Sequence, residues 1–300
     1  MYIKQHIPNG GMVYRVGIVG SDNSHAIAFS KILNDSSDPN HVPGFEVTHL
    51  FGLVESRNEE VAKLGGIKNI VSDPIEMIGK IDIAFIEFRH GGLHLNYARP
   101  FLEKGVPLFI DKPLAADVSD ARKIIHIARE KGVLITSFST LRFTSLVSEL
   151  KDLFKREEPA FLSIMGPADP ESEYGGWIFY GIHVVEMFNE IVGCGTREVF
   201  AMRRGKSIMA TLDHEKVLGT IKTSSEIPNT FAAEGVTRRS HLIKKLDDEP
   251  YYMKGMAKIK EMLDRKQCPL TEQEMFEPIA VTKAIEESIL SGKPIKVETL

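Results

Sequence analysis

Apolar positions in the first 140 residues fall into short runs, and between them hydrophobic side chains return at helical spacing. Residues 13–20 are a β-branched run of strand length. Ile27, Phe29 and Ile32 then mark one face of a helix over 24–34. The rhythm repeats as a strand over 45–54, a short helix over 59–64, a strand over 67–71 and a helical turn opened by Asp73-Pro74. A strand over 81–88, a helix over 93–104 closed by Gly105, a strand over 106–110, a helix over 118–131 ending at Gly132 and a strand over 133–138 complete it. Strands alternating with helices at this spacing predict an α/β unit with a doubly wound parallel sheet of Rossmann-like type.

The period changes after Arg142. A helix over 145–156 leads into strand-like runs over 161–165, 197–202, 207–212, 217–223 and 231–236. A helix over 182–191 interrupts them, and helices over 251–264 and 271–290 close the chain. This pattern predicts an α+β unit with a mostly antiparallel, open sheet. The expected division is residues 12–140 for dinucleotide binding and 141–300 for substrate binding and oligomerisation, with a shared interface because no linker composition separates them.

Composition narrows the function classes. The formal charge of the 300 residues is −4 with both signs mixed along the chain, so no basic footprint for nucleic acid is present. No apolar run approaches the roughly 20 residues of a membrane span. Two cysteines, Cys194 and Cys268, form no disulfide framework and point to a reducing, cytoplasmic setting. Residues 1–11 are polar and lack the apolar core of a signal peptide, and Met12 is an alternative start.

The candidate chemistry lies at strand ends. The run Leu108-Phe-Ile-Asp-Lys-Pro113 stops abruptly at Asp111-Lys112-Pro113, because proline cannot donate to the ladder and pushes Lys112 out of helical geometry. Lys112 thereby faces the carboxyl edge of the sheet, where open α/β folds bind ligands, and it can hydrogen-bond a substrate hydroxyl. The first βα turn, Gly20-Ser21-Asp22-Asn23-Ser24-His25, keeps only the first glycine of G-x-G-x-x-G. A phosphate would meet repulsion from Asp22 there unless Asp22 turns away, and a plain turn capped by Asp, Asn or Ser is the alternative. After the second strand, Glu55 at the ribose position would select NAD, whereas Ser56 followed by Arg57 would select NADP; a solvated charged turn is the alternative.

Arg89-His90-Gly-Gly-Leu-His94 follows the fourth strand. The two histidines have a metal-compatible spacing, but the glycines between them oppose a helical turn, so no metal is expected and one of them caps or lines the pocket. In Gly175-Gly-Trp177-Ile-Phe-Tyr180-Gly-Ile-His183-Val-Val-Glu186, His183 and Glu186 share a helical face. His183 can exchange the proton of a hydroxyl, or else be a buried histidine packed on Trp177. The preceding loop, with Glu171, Glu173, Tyr174 and Trp177, is the stretch expected to choose the substrate.

Taken together, these segments resemble the Gfo/Idh/MocA oxidoreductases, relatives of glucose-fructose oxidoreductase and inositol dehydrogenase, over nearly the whole chain. The resemblance rests on Gly17-Ile-Val-Gly20, Leu93-His94, Asp111-Lys112-Pro113 in place of the family's E-K-P, Gly181-Ile-His183-Val-Val-Glu186, and the stretch 280–294. It implies bound NAD or NADP and hydride transfer at a sugar, cyclitol or related polyhydroxylated compound. It also implies a homo-oligomer built through the C-terminal sheet. By the same resemblance Lys112 orients the substrate hydroxyl and His183 accepts its proton. Gly20 to His25, Glu55, Ser56, Arg57, Arg89, His94, Asp111 and Lys112 fall to the cofactor, and Trp177, Tyr180 and Glu186 to the substrate. The family's aspartate four residues before the histidine is Phe179 here. A phenyl ring neither orients nor ionises. That departure keeps two alternatives open: a non-catalytic binding or regulatory protein, and a lyase or hydrolase that recycles its NAD internally.

Overall fold

The structure is a computed structural model that describes residues 12–300; the polar segment 1–11 discussed above lies outside the described residues. The first half runs β1 (Tyr14–Val19), α1 (Ser24–Asn34), β2 (Phe45–Phe51), α2 (Glu55–Gly65), β3 (Asn69–Ile70), β4 (Ile83–Ile86), α3 (His94–Glu103), β5 (Leu108–Asp111), α4 (Val118–Lys131) and β6 (Ile135–Phe138). The six strands are parallel in the order β3-β2-β1-β4-β5-β6. All residues of β4, β5 and β6 are buried, as expected of central strands covered on both faces. The chain order reverses between β1 and β4, which opens a crevice at the carboxyl edge.

The second half begins with a 3-10 turn at Thr140–Phe143 and continues with α5 (Ser145–Arg156), β7 (Pro159–Gly166), α6 (Ile178–Val192), β8 (Thr196–Arg204), β9 (Ser207–His214) and β10 (Val217–Ser224). It ends with β11 (Ala232–Thr237), β12 (His241–Lys245), α7 (Tyr251–Arg265), α8 (Glu272–Ser291) and β13 (Ile295–Lys296). The sheet order is β12-β11-β7-β10-β9-β8-β13, antiparallel except for the β7–β10 pair. Strand β9 alternates strictly between exposed and buried positions, so one face of this sheet packs on a core and the other faces outward. The chain crosses from one sheet to the other after β6. Helices α7 and α8 return, and Met256, Ile259, Met262, Phe276 and Ile279 pack into the core of the first sheet. Among the described residues no helix is long and apolar enough to cross a membrane.

Two differences from the sequence expectation bear on the site. Strand β2 ends at Phe51 rather than at residue 54, because Leu53 and Val54 lie exposed beyond the ladder although they prolong the apolar run. Helix α6 starts at Ile178, so Phe179, Tyr180 and His183 all sit on one element.

Candidate active site

Leu108 to Ile110 are fully buried and anchor β5, which leaves Asp111 as its last residue at the crevice. Its Oδ2 accepts from Asn23 Nδ2 at 2.9 Å and lies 2.7 Å from His25 Nδ1. Burial pushes the Asp111 carboxyl up, but the His25 ring and Lys112 outweigh it and hold the group below the usual range, so it is ionised. Lys112 is 3% exposed. Its Nζ donates to the Phe179 carbonyl at 3.2 Å and sits 4.1 Å over the Phe179 ring and 5.4 Å from that of Tyr180. Burial, joined by the charge of Arg89, lowers the Lys112 pKa, while Asp111 and Glu186 oppose that shift.

His183 reaches the same place from α6. Its Nδ1 is 2.7 Å from Ser139 Oγ, and its ring lies edge-on to Tyr180 at 5.1 Å. Ser139 follows β6, and its main-chain N–H donates to Glu186 Oε2 at 2.7 Å. Arg142 Nε donates to that same oxygen at 2.6 Å while its other nitrogens reach Glu190 and the Glu274 carbonyl. One helix turn thus clamps the end of β6 at two points, His183 on the hydroxyl and Glu186 on the amide. Burial, then the charges of Lys112 and His25, hold the His183 pKa well below the ordinary histidine value. The ring is thereby held in its neutral form.

The first βα turn stands where a dinucleotide fold holds its diphosphate. Gly20 has φ +118, and a Cβ there would stand 2.6 Å from the Phe88 amide nitrogen, so only glycine permits β1 and β4 to close at this level. Asp22 turns away from the helix end, as its Oδ2 accepts from the Arg89 main-chain N–H at 3.2 Å. Arg57 lies across the turn, donating to the Ser21 carbonyl at 2.9 Å and the Asn23 carbonyl at 3.5 Å, and pairs with Glu60. The N-terminus of α1 favours an anion here, as the diphosphate of a dinucleotide would supply. Directly after β2 stands Gly52, where a Cβ would meet Ser21 Oγ at 2.0 Å and Asn58 Oδ1 at 2.2 Å. Asn58 Oδ1 is buried without a partner, an orphaned acceptor suited to a ribose hydroxyl.

Several expected site residues are placed elsewhere. Glu55 and Ser56 are exposed on the first turn of α2, three and four residues beyond Gly52, the residue that directly follows β2. His94 is wholly buried: Nδ1 lies 2.8 Å from the Pro113 carbonyl and Nε2 2.8 Å from the Phe88 carbonyl, so it ties β4 to the Lys112 loop instead of facing a cofactor. Trp177 is a core pillar, donating from Nε1 to Thr223 Oγ1 at 2.8 Å with its ring against Gly181. The carboxylate of Glu186 is taken by Arg142 and Ser139. Ser24 is exposed at the start of α1, whereas Ser21 is buried. His90 caps a 3-10 turn through Nδ1, which accepts from the Gly92 N–H at 3.0 Å. Among the described residues no group of three His, Cys, Asp or Glu is arranged to hold a metal.

Four contributors were not foreseen. Ser139, Arg142 and Tyr252, whose ring packs on His25 at 5.2 Å, come from distant segments. The fourth, Glu87, is fully buried at the end of β4, with both oxygens lacking a hydrogen-bond partner. Burial, then the neighbouring Asp111 and Asp22, pushes its pKa well above the usual carboxylate value, so it is carried as a neutral acid. Its position at the carboxyl end of a central strand was the one available signal.

Comparison with known proteins agrees with this geometry. The sequence model of the Gfo/Idh/MocA group, described as an oxidoreductase family with an NAD-binding Rossmann fold, matches residues 14–139. Inositol 2-dehydrogenase of Mycolicibacterium smegmatis is 28% identical over 148 residues, 49% of this chain and 40% of that protein. An uncharacterized oxidoreductase of Escherichia coli, YhhX, is 26% identical over 107 residues, 35% of this chain and 31% of its own length. The chain therefore aligns with less than half of each of these relatives. Among solved structures, GenD2 from gentamicin A biosynthesis, in complex with NAD, superposes with a TM-score of 0.84 at 13% identity and full coverage of both chains. Scyllo-inositol dehydrogenase from Lactobacillus casei, with NAD(H) and scyllo-inositol, gives 0.81 at 14% identity, covering 95% of this chain and 99% of that one. These two share the fold. Within the chain, the first sheet, residues 14–139, is the part that matches the Gfo/Idh/MocA oxidoreductase family with its NAD-binding Rossmann fold.

Proposed function

We propose that this chain is an NAD-dependent dehydrogenase that moves a hydride to or from a carbinol carbon of a sugar, cyclitol or related polyhydroxylated compound. The carrying observation is the meeting of Lys112 and neutral His183 at one crevice, the first at the end of strand β5 and the second on helix α6. In oxidation the hydroxyl proton passes to His183 Nε2, which has no hydrogen-bond partner among the described residues, and the carbon–oxygen bond becomes a carbonyl. Lys112 donates to that oxygen and holds its developing charge. When bound, NAD supplies the hydride acceptor. Gly20, Ser21, Asn58, Arg57 and the end of α1 are the groups that would hold it. Arg57 is engaged by two carbonyls and Glu60, which supports NAD over NADP.

Phe179 removes the aspartate that relatives place before the histidine, a substitution that would suit a non-catalytic binding role. Ser139 answers it by fixing the His183 ring from the other side, which favours catalysis. The test has two arms. NADH titrated into the protein should quench protein fluorescence, and failure of both NADH and NADPH at millimolar concentration overturns the reading. Lys112→Met should lower turnover of a polyol about 10²–10⁴-fold while NADH affinity stays within about threefold. Equal loss of both would assign Lys112 to the cofactor.

We further propose that the open sheet pairs with a second copy. Its outward face carries exposed Phe161, Met165, Phe200, Met202, Met209, Leu218 and Ile243, an apolar row that a partner surface would cover. A cytoplasmic setting is supported by the unpaired thiols of Cys194 and Cys268.

A further inference from the structure

We propose that the compound oxidised or reduced at this site carries a carboxylate, so that the substrate class is a sugar acid rather than a neutral sugar or cyclitol; this rests on the dehydrogenase reading above. Two cations face the crevice with no ion-pair partner among the described residues. Lys112 is nearly fully buried, and its one hydrogen bond goes to a main-chain carbonyl. Arg89 lies 4.9 Å over the ring of Tyr174, and its Nη1 donates to the Tyr174 hydroxyl at 2.8 Å. The aromatic side chains Tyr174 and Phe179, 4.9 Å apart, bridge the two cations, so Arg89 and Lys112 border one space and repel each other.

Among the described residues no carboxylate forms an ion pair with either cation, although Asp111 and Glu186 favour the charge on Lys112 from farther off. Asp111 Oδ2 is taken by Asn23 and His25, and Glu186 by Arg142 and Ser139. Asp22 accepts from the Arg89 main chain rather than its guanidinium, and Glu171 on the neighbouring loop pairs with Arg203 and Lys206. Position 179, over which Lys112 Nζ sits at 4.1 Å, carries a phenyl ring and no carboxylate. An uncompensated buried charge is costly, and a bound anion relieves both the desolvation of Lys112 and its repulsion from Arg89. Only Nη1 of the Arg89 guanidinium is engaged, by the Tyr174 hydroxyl, and a guanidinium with further N–H groups suits a carboxylate. The division of labour follows: Arg89 anchors the acid, and Lys112 and His183 work on the hydroxyl beside it.

The test compares matched pairs with the purified protein and NAD: gluconate against glucitol, glucuronate against glucose, and glucose 6-phosphate as the other anion. The acids should exceed their neutral partners about 100-fold in kcat/KM. Arg89→Gln should compress that ratio to below about tenfold, mainly through KM, with NADH affinity within about threefold, and Arg89→Lys should recover part of it. A neutral substrate turned over as well as its acid, or the phosphate preferred over both acids, overturns the proposal. Parallel loss of NADH and acid affinity in Arg89→Gln also overturns it, since Arg89 then serves the cofactor. Calorimetric titration separates this proposal from the dehydrogenase reading. Gluconate binding without turnover of any compound keeps the anion site and removes the dehydrogenase, whereas binding of neither gluconate nor glucuronate removes the anion site itself.

Discussion

Glu87 is the residue whose state the fold dictates most directly. Its carboxyl is buried beside Asp22 and Asp111 with no donor in reach, so the folded protein retains a proton that the unfolded chain has released by neutral pH. The folded pKa is raised, so the folded state binds more protons across the interval from the ordinary carboxylate value up to the folded one. Stability from this group is therefore present below that interval and is lost as pH rises through it. Glu87→Gln keeps the shape and cannot ionise. Its stability relative to the wild type should climb with pH by up to about 1.4 kcal/mol per unit over that interval. Denaturant midpoints at several pH values check this, and a difference independent of pH would place the Glu87 pKa at its ordinary value. The buried His183 and His94, both held below the ordinary histidine pKa, act with the opposite sign, which is why the comparison with a variant is informative and the wild-type profile alone is not.

At the scale of elements, α6 shows how packing overrides propensity. Gly181 lies inside the helix, where alanine would gain about 1 kcal/mol of intrinsic helix stability. A Cβ there would stand 2.4–2.7 Å from three carbons of the Trp177 ring, which is locked by its bond to Thr223. Overpacking of a fixed ring costs about 1–3 kcal/mol and exceeds the helical gain, so Gly181→Ala should lower the midpoint of thermal unfolding rather than raise it. The same element marks the limit of what was legible in the sequence. His183 and Lys112 were visible because each belongs to a local pattern, a helical face and a strand ending in proline. Ser139 and Arg142 were not, since they meet α6 across 44 residues of chain, a pairing that no local period encodes. The end of β2 was set three residues late because Leu53 and Val54 prolong the apolar run beyond the strand. Strand β12 escaped notice because His241, Lys244 and Lys245 give it little apolar signal.

The whole molecule joins a buried parallel sheet to a sheet with one bare face. Helices cover the inward side, while methionines and phenylalanines stand on the other. Pairing of two such faces would bury them without adding to the core. Met202→Glu combined with Met209→Glu, on the neighbouring strands β8 and β9, should convert the assembly to monomer in light scattering after gel filtration, with the far-UV spectrum unchanged. A wild-type protein that is already monomeric at micromolar concentration would sink the second-copy reading. The fold as a class was readable from period alone, since alternation at spacing two and at spacing 3.6 separates the two sheets. Which face of the second sheet stays open depends on where α6 and α8 come to rest, and that is a property of the packed chain.

Trp177 is the single tryptophan of the chain, and the structure seats its indole in the second core, hydrogen-bonded to Thr223 and pressed on the helix that carries His183. The protein thus contains its own optical probe. Emission from one buried indole is blue-shifted, reports on the second sheet alone, and overlaps the absorption of reduced nicotinamide, so one fluorophore reads both the melting of that core and energy transfer to a dinucleotide in the crevice.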